Sequence, residues 1–438
     1  MNILIIGSGA REHAIAKCLK RSVFNPHIYC CGTSLNPGIE QLVTGYWTGD
    51  ITQVGILCEI AVGWEIKLAV IGPEAPLEKG LADALWNCGI PVIGPKRKLA
   101  QLETSKSFTR NLMKHYQIPG LPKYQYFTDM VGVAEFLEEL GEGNYVVKVD
   151  GLMAGKGVKV AGDHLHSLTE ALEHCQVLFA QKHRVLIEEK LIGQEFSLMC
   201  FTDGTSLVPM PLVQDNKRAY EGDMGPNTGG MGSFSAADHS LPFLMDSDVQ
   251  IAMEINELVL RALQTEIKDR YVGIVYGGFI ATSMGVYVIE FNARFGDPES
   301  LNVLSILESD LVALFSAMTE GTLDALPVQF ARQATVCKYA VPQGYPDRPL
   351  EAVEIEINGI KDDATLYLAG VDEKNGKLYA TGSRTAAVVG VASSISQAEC
   401  LAEEAISMIK GPLFHRKDIG TSDLINQRMD FMRKVRSL

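Results

Sequence analysis

The chain has 438 residues, of which 47% are hydrophobic and 21% are charged, and its formal net charge is −14. This length exceeds what one hydrophobic core accommodates, so we predict two to four domains, and the composition is typical of a globular protein rather than a disordered one. The acidic balance excludes a general nucleic-acid binder, because such proteins need a basic face.

The chain opens with a predicted strand, a glycine turn and a helix. Gly7 and Gly9 allow the backbone to approach an anion, which the free N–H groups of the helix start would bind. A nicotinamide-binding fold is the alternative, but Glu12 stands where the third glycine of its fingerprint belongs. No acidic residue ends the second predicted strand, residues 27–31, where a ribose-binding acid belongs. Arg11 at the helix start suits a terminal phosphate better than a pyrophosphate.

A second unit of the same kind follows. Residues 68–71 predict a strand, the segment G-P-E-A-P-L at 72–77 a loop, and residues 91–93 the next strand. Alternating strands and helices indicate a parallel sheet whose loops lie at the carboxyl ends of its strands. On pattern alone, Glu74 is a solvated residue of a proline-rich connection.

A smaller mixed lobe is predicted at about residues 118–192, after a helix capped by the Thr-Ser pair at 104–105. Its strand at 145–149 contains Lys148, whose burial among valines is costly unless an anion pairs with it. The glycine loop at 150–157 is not a Walker A motif, because neither Ser nor Thr follows its lysine and a strand comes next.

The strand that ends near Glu290 carries the clearest chemistry. Residues 286–291 are apolar, apart from Glu290 itself, and residues two apart in a strand share a face, so Glu290 and Asn292 emerge side by side. Their carboxylate and amide oxygens are hard ligands suited to Mg²⁺, and Mn²⁺ accepts the same oxygens. Arg294 adds a fixed positive charge beyond them. We therefore predict a metal–phosphate site here.

Other elements are predicted from periodicity and turn residues. A long amphipathic helix is expected at Asp246–Ile267, with shorter helices at 310–318 and 396–409. The Asn-Gly pair at 375–376 indicates a tight turn between two short strands. The nine cysteines include no C-x-x-C, which fits neither a disulfide framework nor a zinc site, so we expect a reduced, cytoplasmic enzyme.

The segment I-E-F-N-A-R-F-G-D-P-E, residues 289–299, resembles the signature of the phosphoribosylamine–glycine ligase family, which comprises the ATP-grasp glycinamide ribonucleotide synthetases of purine synthesis. Two further segments, G-P-E-A-P-L at 72–77 and P-N-T-G-G-M-G at 226–232, are similar to the same family. Matching segments run from the first residues to Asp418, so the resemblance covers essentially the whole chain.

The resemblance implies an α/β and α+β multidomain fold. Residues 1–103 would form a Rossmann-like, parallel-sheet domain that binds phosphoribosylamine. Residues 104–326 would form a two-lobe ATP-grasp centre whose mobile small lobe is at about 118–192. Residues 327–438 would form a small mixed α/β C-terminal domain.

The resemblance also implies site residues. For ATP as cosubstrate, the cofactor-binding set is Lys106, Lys148, Gly155, Lys156, Gly157, Glu188, Glu189, Leu191 and Glu195. For glycine and 5-phosphoribosylamine, the substrate-binding set is Gly9, Arg11, Glu74, Asp215, Asn227 and Arg294, and the last three are also the predicted catalytic residues. The predicted metal ligands, for Mg²⁺ or Mn²⁺, are Glu290 and Asn292.

Each set has an expected task. The glycine hairpin would cover the phosphates, the hinge backbone would contact adenine, and Glu195 would reach the ribose. Asp215 and Asn227 would lie beside the substrate amines, and Arg294 would steady negative charge. Lys190, Gln343 and Ser383 depart from the family's pattern, which bears on adenine packing and on any substrate contact from the C-terminal domain.

The leading hypothesis is an ATP-dependent ligase that joins glycine to 5-phosphoribosylamine through glycyl phosphate. Such phosphoryl transfer needs positioning and charge stabilisation rather than a protein nucleophile, and the chain offers no Ser–His–Asp or Cys–His constellation. The alternatives are another ATP-grasp carboxylate–amine ligase, a nicotinamide-dependent dehydrogenase and a non-catalytic nucleotide sensor. We expect small-molecule substrates, no nucleic acid or membrane partner, and a monomer or weak homodimer.

Overall fold

The N-terminal part is a five-stranded parallel sheet in a computed structural model that describes residues 1–152, 157–361 and 363–437. Its strands are β1 (Asn2–Ile6), β2 (His27–Gly32), β3 (Gly45–Thr48), β4 (Leu68–Ile71) and β5 (Val92–Ile93), and its helices are α1 (Ala10–Lys20), α2 (Pro37–Glu40), α3 (Val54–Gly63), α4 (Glu74–Glu78) and α5 (Leu81–Asn87). The strand order is β3-β2-β1-β4-β5. Because the order reverses between β1 and β4, the loops after these two strands flank one crevice, which is where ligands bind in such sheets.

The small lobe is built on a four-stranded antiparallel sheet in the order β6-β9-β7-β8. Its elements are β6 (Tyr124–Phe127), α8 (Val133–Leu140), β7 (Tyr145–Val149), β8 (Val158–Val160), α9 (Leu168–Ala180) and β9 (Val185–Glu189), reached through α6 (Gln101–Thr104) and α7 (Lys106–His115). Ser105 caps α7 by accepting the N–H of Phe108, as the sequence predicts.

The small lobe has its own hydrophobic core. Its buried side chains, including Phe136, Tyr145 and Ile187, form a cluster separate from the one that runs through the rest of the chain. A lobe with its own core keeps its packing if it moves as a body. The mobility of this lobe stays a prediction, and the predicted phosphate-binding residues Gly155 and Lys156 lie outside the described residues.

The large lobe contains a four-stranded antiparallel sheet in the order β11-β10-β16-β17. Its elements are β10 (Gln194–Thr202), β11 (Leu207–Pro209), α10 (Asp246–Ile267), β16 (Gly273–Thr282), β17 (Gly285–Asn292), α11 (Glu299–Ser305) and α12 (Leu311–Glu320). Helix α10 has the predicted bounds, and its buried stripe includes Ile255, Val259 and Leu263, at the spacing that the amphipathic pattern indicates.

A third sheet joins strands from both sides of residue 326, where we predict a domain boundary. It pairs β12 (Gln214–Asp215) and β15 (Gly232–Ser235) with β18 (Ala334–Pro342), β20 (Ala364–Leu368) and β23 (Ala386–Ala392), in the order β12-β15-β18-β23-β20, and β25 (Leu413–Phe414) also pairs with β18. The hairpin of β13 (Arg218–Tyr220) and β14 (Met224–Asn227) projects between β12 and β15 along the chain. The sheet therefore links the large lobe and the C-terminal part through backbone hydrogen bonds.

The C-terminal part adds a smaller sheet and two helices. They are β19 (Val353–Ile357), β21 (Val371–Lys374), β22 (Lys377–Ala380), α13 (Ile395–Ile406), β24 (Ile409–Lys410) and α14 (Ser422–Arg436). Asn375 and Gly376 have φ values of 54° and 74°, so the predicted Asn-Gly turn between β21 and β22 is confirmed. The helix expected at 396–409 is shorter because Ile409 pairs with β19. None of the helices in the described ranges combines the length and apolar character that a membrane crossing requires.

His13 connects α1 to the C-terminal part. Its Nδ1 accepts the N–H of Leu368 at 2.9 Å, and burial, together with the nearby Lys17, lowers the pKa of His13 to about 3. Because an unfolded histidine has a pKa of about 6.5, the folded state binds fewer protons between these values. The stability due to neutral His13 is complete above pH ~6.5 and is lost as the pH falls towards the folded pKa.

We therefore expect His13→Gln to be less stable than the wild type near neutrality and to lose less stability on acidification. From pH 7.5 to 5.0 the difference in the free energy of unfolding should shrink by about 2 kcal/mol, measured by urea titration. The exposed His27 gives the control, because His27→Gln should retain the wild-type pH dependence. A His13→Gln variant with an unchanged pH dependence would contradict the assignment.

Candidate active site

The loops after β1 and β4 meet around the side chain of Glu12. Its Oε2 accepts the N–H of Gly9 at 2.6 Å, and its Oε1 accepts a hydrogen bond from Nε of Arg11 at 2.6 Å. A Cβ atom at Gly72 would lie 1.9 Å from Oε1 of Glu12, so this approach requires glycine. Glu12 therefore occupies the N–H of Gly9, and the substrate-binding role of Gly9 stays a prediction. Arg11 remains the cationic group of this loop.

A half-buried arginine joins this crevice to the strand of the predicted metal ligands. Nη2 of Arg294 lies 2.9 Å from Oε1 of Glu103, and Nε lies 3.4 Å from Oε2 of Glu74. Burial would raise the pKa of Glu74, but Arg294 and Arg11 lower it. Arg11 also donates to the carbonyl of Phe295. The predicted substrate residues Arg11, Glu74 and Arg294 therefore lie together.

A β-bulge directs the predicted metal ligands away from the core. Phe279 pairs with Val288 and Gly278 with Glu290, which leaves Ile289 as the extra residue. Val288 and Phe291 are both buried in the core, so the alternation changes phase between them. Glu290 and Asn292 consequently share the face opposite Phe291, at the open end of β17.

Cations surround Glu290. Burial would raise its pKa, but Lys217, Lys106, Lys148 and Arg294, in that order of effect, lower it, so Glu290 is ionised. The amide oxygen of Asn292 accepts a hydrogen bond from Nη2 of Arg294 at 3.3 Å, and an amide oxygen retains a second lone pair for a metal. In the described part of the chain, no three His, Cys, Asp or Glu side chains cluster as a complete metal site. The pair would therefore supply only part of a coordination shell.

The anion that pairs with Lys148 is the carboxylate of Glu188. Nζ of Lys148 lies 2.5 Å from Oε2 of Glu188 and donates to the carbonyl of Ile289 in the bulge. Arg110 binds the other carboxylate oxygen of Glu188 and also donates to the carbonyls of Val288 and Ile289. Burial would raise the pKa of Glu188, but Arg110 and Lys148 lower it to about 2. This triad attaches the small lobe to β17, directly behind the predicted metal ligands.

The hinge is the segment between β9 and β10, where adenine is expected to contact the main chain. Because the Glu188 carboxylate is fully engaged, a nucleotide contact from this residue would use its main chain. Oε1 of Glu189 accepts the N–H of Lys123 at 2.6 Å, and Leu191 lies in the segment between β9 and β10. On the other side of the lobe, the carbonyl of Gly157 accepts the N–H of Val149. Nζ of Lys190, a departure from the family's pattern, donates to the carbonyl of Ala161 at 2.7 Å.

Two further predicted ATP-binding residues, Lys106 and Glu195, lie on α7 and β10. Nζ of Lys106 donates to the carbonyl of Gly151 at 3.0 Å, next to the glycine loop. Glu195 is exposed at the start of β10, and its Oε2 lies 3.0 Å from Nζ of Lys217. The charge of Glu195 and, with a smaller effect, that of Glu290 raise the pKa of Lys217, although burial acts in the opposite direction.

Asp215 has a buried, unpaired oxygen. Among the described residues, its Oδ1 has no hydrogen-bond partner. Burial and the neighbouring carboxylate of Glu299 raise the pKa of Asp215 well above its usual value. A Cβ atom at Gly230, where φ is +110°, would lie 2.6 Å from this oxygen. Only glycine at position 230 therefore allows the loop at 226–232 to pack against Asp215. The unpaired oxygen of Asp215 suits a cationic or protonated ligand group.

Asn227 is placed differently. It lies half-buried on β14 opposite Arg218, and among the described residues no hydrogen bond joins it to Asp215. Arg384 of the C-terminal part binds the loop at 226–232, because it donates to the carbonyls of Gly229 and Gly230. Asp215 therefore lies against Gly230, and the role of Asn227 beside the substrate amines stays a prediction.

The substitution at Ser383 causes no backbone strain. The left-handed residue of this turn is Gly382, with a φ of +90°, and Ser383 is outside that region. At the other departure, the backbone N–H of Gln343 donates to the carbonyl of Pro412 and its carbonyl accepts the N–H of Leu350. Both departures leave the local backbone arrangement intact.

Several charged residues of the site, Arg110 among them, were not among those predicted. Glu103 and Glu299 are buried; no sequence pattern marks Glu103, whereas Glu299 is the last residue of the segment at 289–299. Lys217 follows Asp215 at the two-residue spacing of a strand face, which was a usable signal. Arg384 follows Ser383 in the turn that departs from the family's pattern, and its Nη2 lies 3.2 Å from Oδ1 of Asp297.

The chain matches three family models along its length. They are described as "Phosphoribosylglycinamide synthetase, N domain" at residues 1–103, "ATP-grasp (A) domain" at 104–300 and "C domain" at 335–422. A phosphoribosylamine–glycine ligase of Methanosarcina barkeri is 49% identical over 436 residues and covers 100% of both chains. That of Pyrococcus horikoshii is 43% identical over 438 residues, covering 99% of this chain and 98% of the relative.

Solved structures show the same architecture. The phosphoribosylamine–glycine ligase of Thermotoga maritima superposes with a TM-score of 0.81 at 28% identity, covering 95% of this chain and 100% of the other. A biotin carboxylase of Campylobacter jejuni superposes with a TM-score of 0.76 at 13% identity, covering 99% and 98%. At that identity the second likeness shows the fold alone.

Proposed function

The chain belongs to the phosphoribosylglycinamide synthetase family, and we propose from this that it is an ATP-dependent ligase joining glycine to 5-phosphoribosylamine. The products are glycinamide ribonucleotide, ADP and phosphate, a step of purine synthesis. The observation that carries the proposal is full-length identity of 43–49% with relatives named phosphoribosylamine–glycine ligase. These relatives favour it over the alternative, an ATP-grasp ligase for a different acid or amine.

ATP lies between the small lobe and β17 in this proposal. Lys106 and Lys148 supply positive charge towards the phosphates, and Lys217 supplies it from the large lobe. The hinge backbone from Glu189 to Leu191 takes adenine, and the exposed Glu195 takes the ribose. The positions of Lys217, Lys106 and Lys148 around Glu290 support this placement, because they bring positive charge to the side of β17 where the phosphates would bind.

The oxygens of Glu290 and Asn292 fit Mg²⁺ or Mn²⁺. Two protein oxygens are the usual contribution to such an ion in ATP sites, where phosphates and water complete the coordination. A bound ion would neutralise part of the charge on the transferring phosphoryl group. The bulge at Ile289 sets the direction of both side chains, and Arg110 satisfies the carbonyls that the bulge exposes.

Glycine lies between the nucleotide and the crevice of the N-terminal sheet. Arg294, held by Glu103 and Glu74, orients its carboxylate, which attacks the γ-phosphorus of ATP and gives glycyl phosphate and ADP. The amine of phosphoribosylamine, bound through Arg11, then attacks the carbonyl carbon and expels phosphate. Asp215 is proposed to accept the proton that the amine loses, a role that requires its ionised carboxylate. Asn227 is proposed as a second neighbour of the amines.

Labelled glycine tests this sequence of steps. Glycine with ¹⁸O in its carboxylate should transfer one labelled oxygen to inorganic phosphate in each turnover, and the amide product should keep the other. ADP release should require both glycine and freshly prepared phosphoribosylamine. Mass spectrometry of phosphate and coupled ADP detection measure the two results.

Unlabelled glycine in H₂¹⁸O is the control and should give unlabelled phosphate. Phosphate without label from labelled glycine would mean that water or the sugar takes the phosphoryl group. ADP release with another acid in place of glycine would favour the alternative ligase.

The proposed setting is the reduced cytoplasm, with small-molecule substrates only and a monomer or weak homodimer. Its support is that all nine cysteines are free thiols, and six of them are buried.

A further inference from the structure

The last helix, α14, reaches the candidate active site although the matched family segments end at residue 422. Its Arg428 is nearly buried and binds two side chains at once. Nη1 donates to Oε1 of Gln194 at 2.9 Å, and Nη2 donates to Oδ1 of Asn216 at 2.6 Å. An ion pair of 3.1 Å with Asp223 balances its charge.

These two contacts flank the residues proposed to bind the nucleotide. Gln194 precedes Glu195 on β10, and Asn216 stands between Asp215 and Lys217. Nζ of Lys217 and Oε2 of Glu195 form an ion pair of 3.0 Å. The guanidinium of Arg428 therefore sets the separation of the two segments whose next residues form this pair.

The Glu195–Lys217 pair needs such support. The side chains of Glu195 and Lys217 are 51% and 37% exposed, and an exposed ion pair holds its geometry weakly. Asn216 is fully buried, and its backbone N–H donates to the carbonyl of Gly232. A planar guanidinium grips two acceptors in one plane, which a lysine ammonium does not do.

We propose that Arg428 is a positioning residue, which holds Glu195 and Lys217 so that the site distinguishes the ribose of ATP from a sugar without hydroxyl groups. The inference rests on the proposed nucleotide role of Glu195. It gives the C-terminal helix a part in nucleotide selectivity.

Binding of ATP and of 2′,3′-dideoxy-ATP to the full chain with Mg²⁺, measured by calorimetry, tests the proposal. The wild type should bind ATP more tightly by on the order of tenfold, the scale of one hydrogen bond to a charged group. Arg428→Lys and Asn216→Ala should each bring this ratio close to one. Their kcat at saturating ATP should stay within about threefold of the wild type, so that the loss appears in KM for ATP.

Arg436→Lys on the same helix is the matched control. Arg436 binds Asp248 and the carbonyl of Phe243, away from the nucleotide. This variant should lower the melting temperature without changing the ATP to dideoxy-ATP ratio. An equal loss of the ratio in Arg436→Lys would mean that helix docking alone matters and would overturn the proposal.

A double variant decides whether Arg428 acts through Glu195. Glu195→Gln with Arg428→Lys should discriminate no worse than Glu195→Gln alone, because coupled residues are not additive. Additive losses would overturn the proposal. Because binding is measured without glycine, it is independent of the labelled-glycine result. A wild type without ribose discrimination would refute the role of Glu195 and this inference, and would leave the ligase function to that other experiment.

Discussion

Glu290→Gln is expected to lower kcat by on the order of 10²-fold or more while the protein stays folded. The substitution keeps the shape of the side chain and removes the negative charge that Lys217, Lys106 and Lys148 surround. Without that carboxylate, the proposed metal loses its charged protein ligand. The cations that remain repel it. Steady-state ADP release at saturating ATP and glycine measures the effect.

Metal affinity gives a second readout that does not depend on turnover. Mn²⁺ binding in the presence of ADP, followed by electron paramagnetic resonance, should weaken in parallel with kcat. Glu257→Gln on the exposed side of α10 is the control and should behave as the wild type. Near-wild-type turnover of Glu290→Gln at high Mg²⁺ would show that Glu290 is not a ligand.

Arg294→Lys is expected to lower kcat by on the order of 10²–10³-fold, the range for removing one preorganised donor to developing charge. Lysine keeps the positive charge, but its single ammonium does not span Glu103, Glu74 and the substrate together. Glu103 is buried, and burial raises its pKa, so weaker pairing should make it protonate. Kinetics with varied glycine should show the loss mainly in kcat.

Arg433→Lys on the exposed face of α14 is the matched control for the same exchange. Equal thermal melting of Arg294→Lys and the wild type would place the effect in the chemistry rather than in folding. A kcat within about threefold of the wild type would contradict the assigned role of Arg294.

Local patterns predicted the elements that carry these residues. Helix α10 follows from its apolar periodicity, and the crevice loops follow from alternating strands and helices. The face of Glu290 is a more instructive case. Strict alternation would have put Val286, Val288 and Glu290 on one side, and only the bulge at Ile289 separates Glu290 from the buried valines. The prediction of a shared face for Glu290 and Asn292 did not depend on this bulge.

Contacts between residues far apart in the sequence could not be predicted from local sequence patterns. Glu103 accepts the N–H of Ala293 although 190 residues separate them, and neither residue type signals the other. The need for an anion beside Lys148 was predicted from the cost of burial, but its identity as Glu188 depends on how β7 and β9 pair. Pairing partners of this kind are set by topology, which a single sequence specifies only through the complete fold.

Strand pairing in the third sheet also determines how early this part of the chain can fold during synthesis at the ribosome. β15, which pairs with the strand of Asp215, needs β18 as its other neighbour, and β18 begins about a hundred residues later. At roughly 5–20 residues per second, that neighbour emerges about 5–20 s after β15. Throughout this interval the nascent chain carries an open strand edge, which is the feature that chaperones and aggregating chains recognise. The enzyme's chemistry therefore becomes available only when translation is nearly complete, and partial chains released early should be inactive and prone to associate.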